Sequence, residues 1–191
     1  MLQEISLKIN DRIPISISEA KWLFHHAEDG SLMELSSKVR NRYHHPEEAT
    51  YLIMAIVNYT NVCVARCDYC SFYRLPRQQG TYTLNIEEVC QKIDALRSFG
   101  GNMVGFNGGF NPKLKIQDYA AMFQEVRNRY PEVTFYEMTV AEFMFACKNS
   151  RLNYDQGANI LREAGSKWVT GGGAEILDEN FRKRHSPYKY T

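Results

Sequence analysis

A continuous apolar run, Tyr51 to Val57, leads directly into a loop with three cysteines spaced Cys63-x3-Cys67-x2-Cys70. The run is long enough for a strand and too short for most helices. An unbroken apolar stretch suits a parallel strand covered on both faces. From there the chain alternates. Asn85 caps a helix whose face carries Ile86, Val89, Cys90, Ile93 and Leu96, and Gly100-Gly101 ends it. Met103 to Phe106 reads as a second strand. Ile116 to Tyr130 reads as an amphipathic helix striped by Tyr119, Met122, Phe123 and Val126. Val133 to Met138 is a third strand and Phe143 to Cys147 a short helix. Asn153 opens another helix, which buries Ile160, Leu161 and Ala164 and stops at Gly165. Such repetition builds right-handed βαβ units. The fold class is therefore α/β, a parallel sheet or a partial (β/α) barrel of the TIM type. We count about four strand–helix units, against eight in a closed barrel.

Two helices are expected ahead of the sheet. Ser16 to Glu19 has capping-box spacing, with Ala20, Leu23, Phe24 and Ala27 on one face and Gly30 as the stop. Ser31 to Glu34 repeats the spacing and opens the second, with Leu32, Leu35 and Val39 as its apolar side. The expected division is a helical lead-in over 1–50 and an incomplete barrel over 51–191. His44 and His45 precede Pro46 and read as solvated residues at a turn rather than metal ligands.

Lys and Arg number 23 against 22 Asp and Glu, a net charge of +1, with no long block of one sign. That balance argues against a dedicated nucleic-acid or membrane-surface binder. No apolar run reaches the length of a membrane span, and the first residues lack a secretory pattern. The expected location is the cytoplasm, where thiols stay reduced and a tight cysteine group points to metal or catalysis.

Sites on parallel sheets form at the carboxyl ends of the strands. Four polar or glycine-rich segments occupy those ends: the cysteine loop, Asn107-Gly-Gly, Thr139 to Glu142, and Gly171 to Glu175. Three close thiolates suit a [4Fe–4S] cluster with one iron left open for a small molecule. Zinc would want a second Cys or His pair at short spacing, and none follows. A redox disulfide would use Cys67 and Cys70 and leave Cys63 without a role. A buried helical face is a further alternative, but Thr60, Asn61, Arg66 and Asp68 make a poor helix core. Cys90 and Cys147 read as core residues.

The loop Cys63-x3-Cys67-x-Tyr69-Cys70, with an aromatic before the third cysteine, resembles the signature of the radical S-adenosylmethionine superfamily. Asn107 to Pro112, Thr139 to Glu142, Gly171 to Leu177 and His185-Ser-Pro187 extend the resemblance to the branch of futalosine enzymes and FO synthases. Within it, Val57 to Asn61, Phe72 to Arg74 and Asn111-Pro112 are most similar to the cyclic dehypoxanthine futalosine synthases, with the aminofutalosine synthases next. The resemblance implies a [4Fe–4S] cluster on Cys63, Cys67 and Cys70, and S-adenosylmethionine beside it. Reduced flavodoxin or ferredoxin would donate the electron, and dehypoxanthine futalosine would be cyclised for menaquinone biosynthesis. It implies cofactor contacts for Tyr69, Gly108, Gly109 and Glu175, substrate contacts for Thr139 and Glu142, and catalytic roles for Glu142 and Glu175.

Two residues depart from the branch. Phe110 stands where the family usually has histidine, and Asn107 where it has glutamine. The sequence also resembles only the amino-terminal half of such an enzyme. An open half barrel would need a carboxyl-terminal half or self-association to cover its strand edge.

Overall fold

The computed structural model describes residues 1–171 and 175–189, and the chain falls into two compact units, Met1–Tyr51 and Leu52–Thr191. The first holds three helices rather than the two expected: α1 (Leu2–Asn10), α2 (Ile17–His26) and α3 (Asp29–Arg40). Ile5, Ile9, Leu23 and Leu35 form its core. The Ser16–Glu19 capping box is present, with Glu19 N bonded to Ser16 Oγ at 3.2 Å. The rotation of α2 differs from the sequence reading. Trp22 and Leu23 face the core, while Phe24 is 83% exposed. Lys8 on α1 pairs with Glu19 at 2.7 Å and fixes that phase. Gly30 does not end α2, nor does Ser31 open α3. Ala27 and Glu28 leave helical geometry, so Gly30 and Ser31 lie inside α3.

The second unit is a parallel sheet in the order β1-β2-β3, formed by β1 (Met54–Asn58), β2 (Met103–Asn107) and β3 (Thr134–Tyr136). Helices α4 (Ile86–Ser98), α5 (Ile116–Arg129), α6 (Val140–Ser150) and α7 (Tyr154–Glu163) follow the strands, and α8 (Glu179–His185) comes last. A fourth strand position is marked by one parallel bridge, Thr139 to Thr170. This is an α/β fold that makes part of a TIM-like barrel. The helices cover one face of the sheet, where Val57, Val104, Phe106 and Phe135 meet Val89, Ile93, Phe123 and Val126.

The run at Tyr51–Val57 is not buried on both faces. Strand β1 begins at Met54, and its burial alternates: Val57 is fully buried while Met54 and Ile56 stay 40% and 47% exposed. Strand β1 is at the sheet edge, and the side chains of Met54 and Ile56 on its second face are exposed. Ile56 pairs with Gly105, where an added Cβ would come within 2.8 Å of the Ile56 Cδ1.

One ion pair lies in this core. Arg127 of α5 meets Glu137, which is 1% exposed just past β3, and the guanidinium also lies 5.5 Å from the Phe135 ring centre. Burial pushes the Arg127 pKa down. No helix among the described residues is long and apolar enough to cross a membrane.

Candidate functional site

The cysteine loop leaves the carboxyl end of β1 and is irregular, with Arg66 left-handed at φ +53°. A helical face is thereby excluded. All five cysteines are free thiols. Cys63, Cys67 and Cys70 belong to one small apolar cluster with Ala65, Phe110 and Ala141, separate from the main core. Burial raises the pKa of Cys63 and of Cys67, and the other cysteines of the loop add to it. The Ala65 amide donates to Cys63 Sγ at 3.4 Å. Among the described residues, no three His, Cys, Asp or Glu side chains close around a single metal ion.

The loop is anchored at its base by residues that the sequence reading did not single out individually as site residues. Cys63 N donates to Arg74 O at 3.0 Å, and Val64 N to Phe110 O at 3.1 Å. Asn111 is 2% exposed and donates to the hydroxyls of Thr60 at 3.2 Å and Thr83 at 3.1 Å. Thr60 in turn donates to Tyr82 O at 2.8 Å. Three stretches distant in sequence thus converge under the cysteines. Their only sequence signal was that Asn58 to Asn61 and Asn111 belonged to the resembling motifs.

Gly108 and Gly109 follow β2, and the chain's own packing requires them. A Cβ on Gly108 would lie 2.2 Å from the Tyr59 ring, and one on Gly109 2.4 Å from Val62 O and 2.6 Å from Cys63 Cβ. Phe110, next in the turn, is buried and stacks on Phe145 with ring centres 4.7 Å apart.

Thr139 and Glu142 are joined. Thr139 is the N-cap of α6 and Glu142 closes its capping box, so the helix starts at Val140 rather than at Phe143 and runs to Ser150. Glu142 is 5% exposed, not a solvated loop carboxylate. It accepts from Tyr59 Oη at 2.7 Å, Gly108 N at 2.7 Å, Thr139 N at 2.8 Å and Thr139 Oγ1 at 2.7 Å. Four donors occupy the four lone-pair positions of a carboxylate.

The outer side of the loop is clasped from the carboxyl-terminal segment. Tyr69 Oη donates to Glu175 at 2.9 Å, and Lys189 pairs with Glu175 at 2.8 Å. Partial burial, with the carboxylate nearby, pushes the Tyr69 pKa up to about 12. His185 Nδ1 lies 2.6 Å from Asp68, and the Asp68 amide donates to His185 O at 3.0 Å. Of the motif Gly171 to Glu175, residues 172–174 lie outside the described residues. A cavity of about 580 Å³ lies beside the loop, lined by Arg66, Phe110, Phe145, Tyr154, Tyr188 and Lys189 among others.

The donor set fits an iron–sulfur cluster: three free thiols on one loop, in an apolar setting, with an amide directed at one sulfur. The family model of the radical SAM superfamily matches residues 57–191, and the chain belongs to that family. Its members are enzymes that bind a [4Fe–4S] cluster and S-adenosylmethionine. The chain is 31% identical to the cyclic dehypoxanthine futalosine synthase of Halalkalibacterium halodurans, over 93% of this chain and 48% of that protein. It is 28% identical to the aminodeoxyfutalosine synthase of Thermus thermophilus, over 94% and 48%. The FeFe-hydrogenase maturase of Carboxydothermus hydrogenoformans shares the fold at a TM-score of 0.53 and 18% identity, over 88% of this chain and 47% of that one. The chain spans about half the length of these relatives.

Proposed function

We propose that this chain provides the cluster and S-adenosylmethionine site of an enzyme that converts dehypoxanthine futalosine to its cyclic product. The observation that carries the reading is the gathering of Cys63, Cys67 and Cys70 in one apolar cluster at the end of β1, beside the Gly108–Gly109 turn. The similarity to cyclic dehypoxanthine futalosine synthase supports the choice of reaction. In this reading the three thiolates hold the cluster. Bound there, such a cluster would supply the one-electron chemistry that breaks the sulfur–C5′ bond of S-adenosylmethionine into methionine and a 5′-deoxyadenosyl radical.

The chain's residues bind and shield. Tyr69 and Glu175 are already hydrogen-bonded to each other at the edge of the loop and together form one wall for S-adenosylmethionine. In this reading the Gly108–Gly109 turn, whose missing side chains make room for Tyr59 and the cysteine loop, offers S-adenosylmethionine its outward backbone. Phe110 contributes an apolar surface and no proton, so any proton movement at that position falls to another group. The open face of β1 calls for cover, from a further polypeptide segment or a second copy, and reduced flavodoxin or ferredoxin would supply the electron.

Anaerobic reconstitution with iron and sulfide, then incubation with S-adenosylmethionine, dithionite and dehypoxanthine futalosine, tests the reading. We expect a brown protein that forms 5′-deoxyadenosine and the cyclised product, and a Cys67→Ala variant that takes up little iron. Uptake unchanged by Cys67→Ala would refute the cluster assignment. 5′-Deoxyadenosine without the cyclic product would refute the substrate, and the substrate of aminofutalosine synthesis would be tried next.

A further inference from the structure

The Glu142 carboxylate joins three places through four donors: the end of β1 at Tyr59, the turn after β2 at Gly108, and the backbone and hydroxyl of Thr139 at the head of α6. Two of its donors are backbone N–H groups, which cannot reverse their polarity. They meet different oxygens, Gly108 N on Oε1 and Thr139 N on Oε2. A hydroxyl can turn from donor to acceptor, but an amide cannot. A glutamine here, in either orientation, would therefore point its NH₂ at a backbone N–H.

We propose that Glu142 is a positioning residue of the S-adenosylmethionine site, a carboxylate that sets the Gly108 peptide and does not itself touch substrate. The inference rests on the reading of Gly108–Gly109 as the cofactor turn. With four donors in place, no lone pair is left for a ligand. The position next to Gly108 belongs to Tyr59, whose ring would meet a Cβ there at 2.2 Å, so the turn is held from the side by Tyr59 and by hydrogen bond from Glu142. Burial and the nearby carboxylate raise the Tyr59 pKa and keep its hydroxyl a donor.

Glu142→Gln separates this role from simple folding. Glutamine serves as well as glutamate at the third position of a capping box, so α6 keeps its cap with the amide oxygen toward Thr139 N. The NH₂ then faces Gly108, and that backbone group loses its acceptor. In the reconstituted chain we expect Glu142→Gln to stay folded with parental iron content, its melting temperature lowered by the unpaired Gly108 amide. Its KM for S-adenosylmethionine in 5′-deoxyadenosine formation should rise about tenfold or more, with a smaller change in kcat. Tyr59→Phe, which leaves the Gly108 bond in place, should raise KM by less.

An unchanged KM in Glu142→Gln overturns the proposal. So does a fall in kcat alone, which would mean that Glu142 meets the reacting substrate. Should Glu142→Gln fail to fold, Glu142→Asp decides, because a carboxylate one methylene shorter keeps the charge and withdraws its oxygen from Gly108 N, and an unchanged KM there overturns the proposal. A parent chain that takes up no iron refutes the cofactor-site reading itself, before any variant is compared.

Discussion

Asn111 donates from Nδ2 to the hydroxyl of Thr60 at 3.2 Å, across 51 residues of sequence, and both side chains are buried. The same NH₂ group reaches Thr83 at 3.1 Å, so one amide ties the start of the cysteine loop to its return. Asn111→Ala leaves two hydroxyls without this donor and should cost about 1–3 kcal/mol. Urea unfolding followed by circular dichroism measures it. A shift indistinguishable from zero would mean that the amide does not brace the loop.

Gly109→Ala and Gly30→Ala should act in opposite directions. An alanine at 109 drives its Cβ into Val62 O and Cys63 Cβ, both parts of the loop. We expect lower stability and weaker iron uptake, read by melting temperature and elemental analysis. At Gly30, in the first turns of α3, an added Cβ meets nothing within 4 Å. Alanine there should stabilise by about 0.5–1 kcal/mol through helix propensity.

Glu19 is the residue through which acid should loosen the first unit. Hydrogen bonding to Lys8, then to Ser16, lowers its pKa to about 2. A depressed carboxyl pKa stabilises the fold fully above the unfolded value near 4.5, and that stability is lost as pH falls through about 2. Carboxyl-carbon NMR should show Glu19 titrating near pH 2, and Lys8→Met should move the midpoint upward. A midpoint near 4.5 in the parent would rule out the Lys8 pairing.

Glu137 and Arg127 should be far costlier to separate than to replace together. Removing one member of a buried pair strands the other charge and costs about 3–5 kcal/mol, whereas an apolar pair of similar volume is close to neutral. Glu137→Ala should therefore destabilise strongly. Arg127→Met combined with Glu137→Leu should recover most of the loss in chemical denaturation. Additive losses in the double variant would show that the two residues are independent.

Legibility in the sequence followed how local each signal was. Asn85, Thr139 and Asn153 cap their helices with partners three residues away, so α4 and α7 could be placed from short windows. Helix α1 had no such mark: Met1 is its N-cap without a side-chain bond, and Ile5 and Ile9 are separated by polar residues. The phase of α2 was set by Lys8, in an element not foreseen. The one-sided burial of β1 depended on sheet order, which an apolar run alone does not specify. At the site, thiols in tight spacing declared themselves. The roles of Tyr59, Thr60 and Asn111 did not, because these are ordinary polar residues whose bonds to Glu142 and Thr83 close only in three dimensions. Glu142 stood out in the sequence only through the Thr139 to Glu142 motif, and its hydrogen bond to Gly108 spans 34 residues, which no spacing rule reaches.

The clasp on the cysteine loop arrives late. Glu175 is 106 residues beyond Tyr69, and His185 is 117 beyond Asp68. Because translation proceeds from the amino terminus, β1 and all three thiols leave the ribosome before either partner exists. During that interval the loop is held from below but open outward, so the thiols are most accessible before the latch closes. Nascent chains stalled with residue 170 outside the ribosome should therefore alkylate at Cys70 faster than chains stalled beyond Lys189. Equal rates would show that the clasp does not control entry.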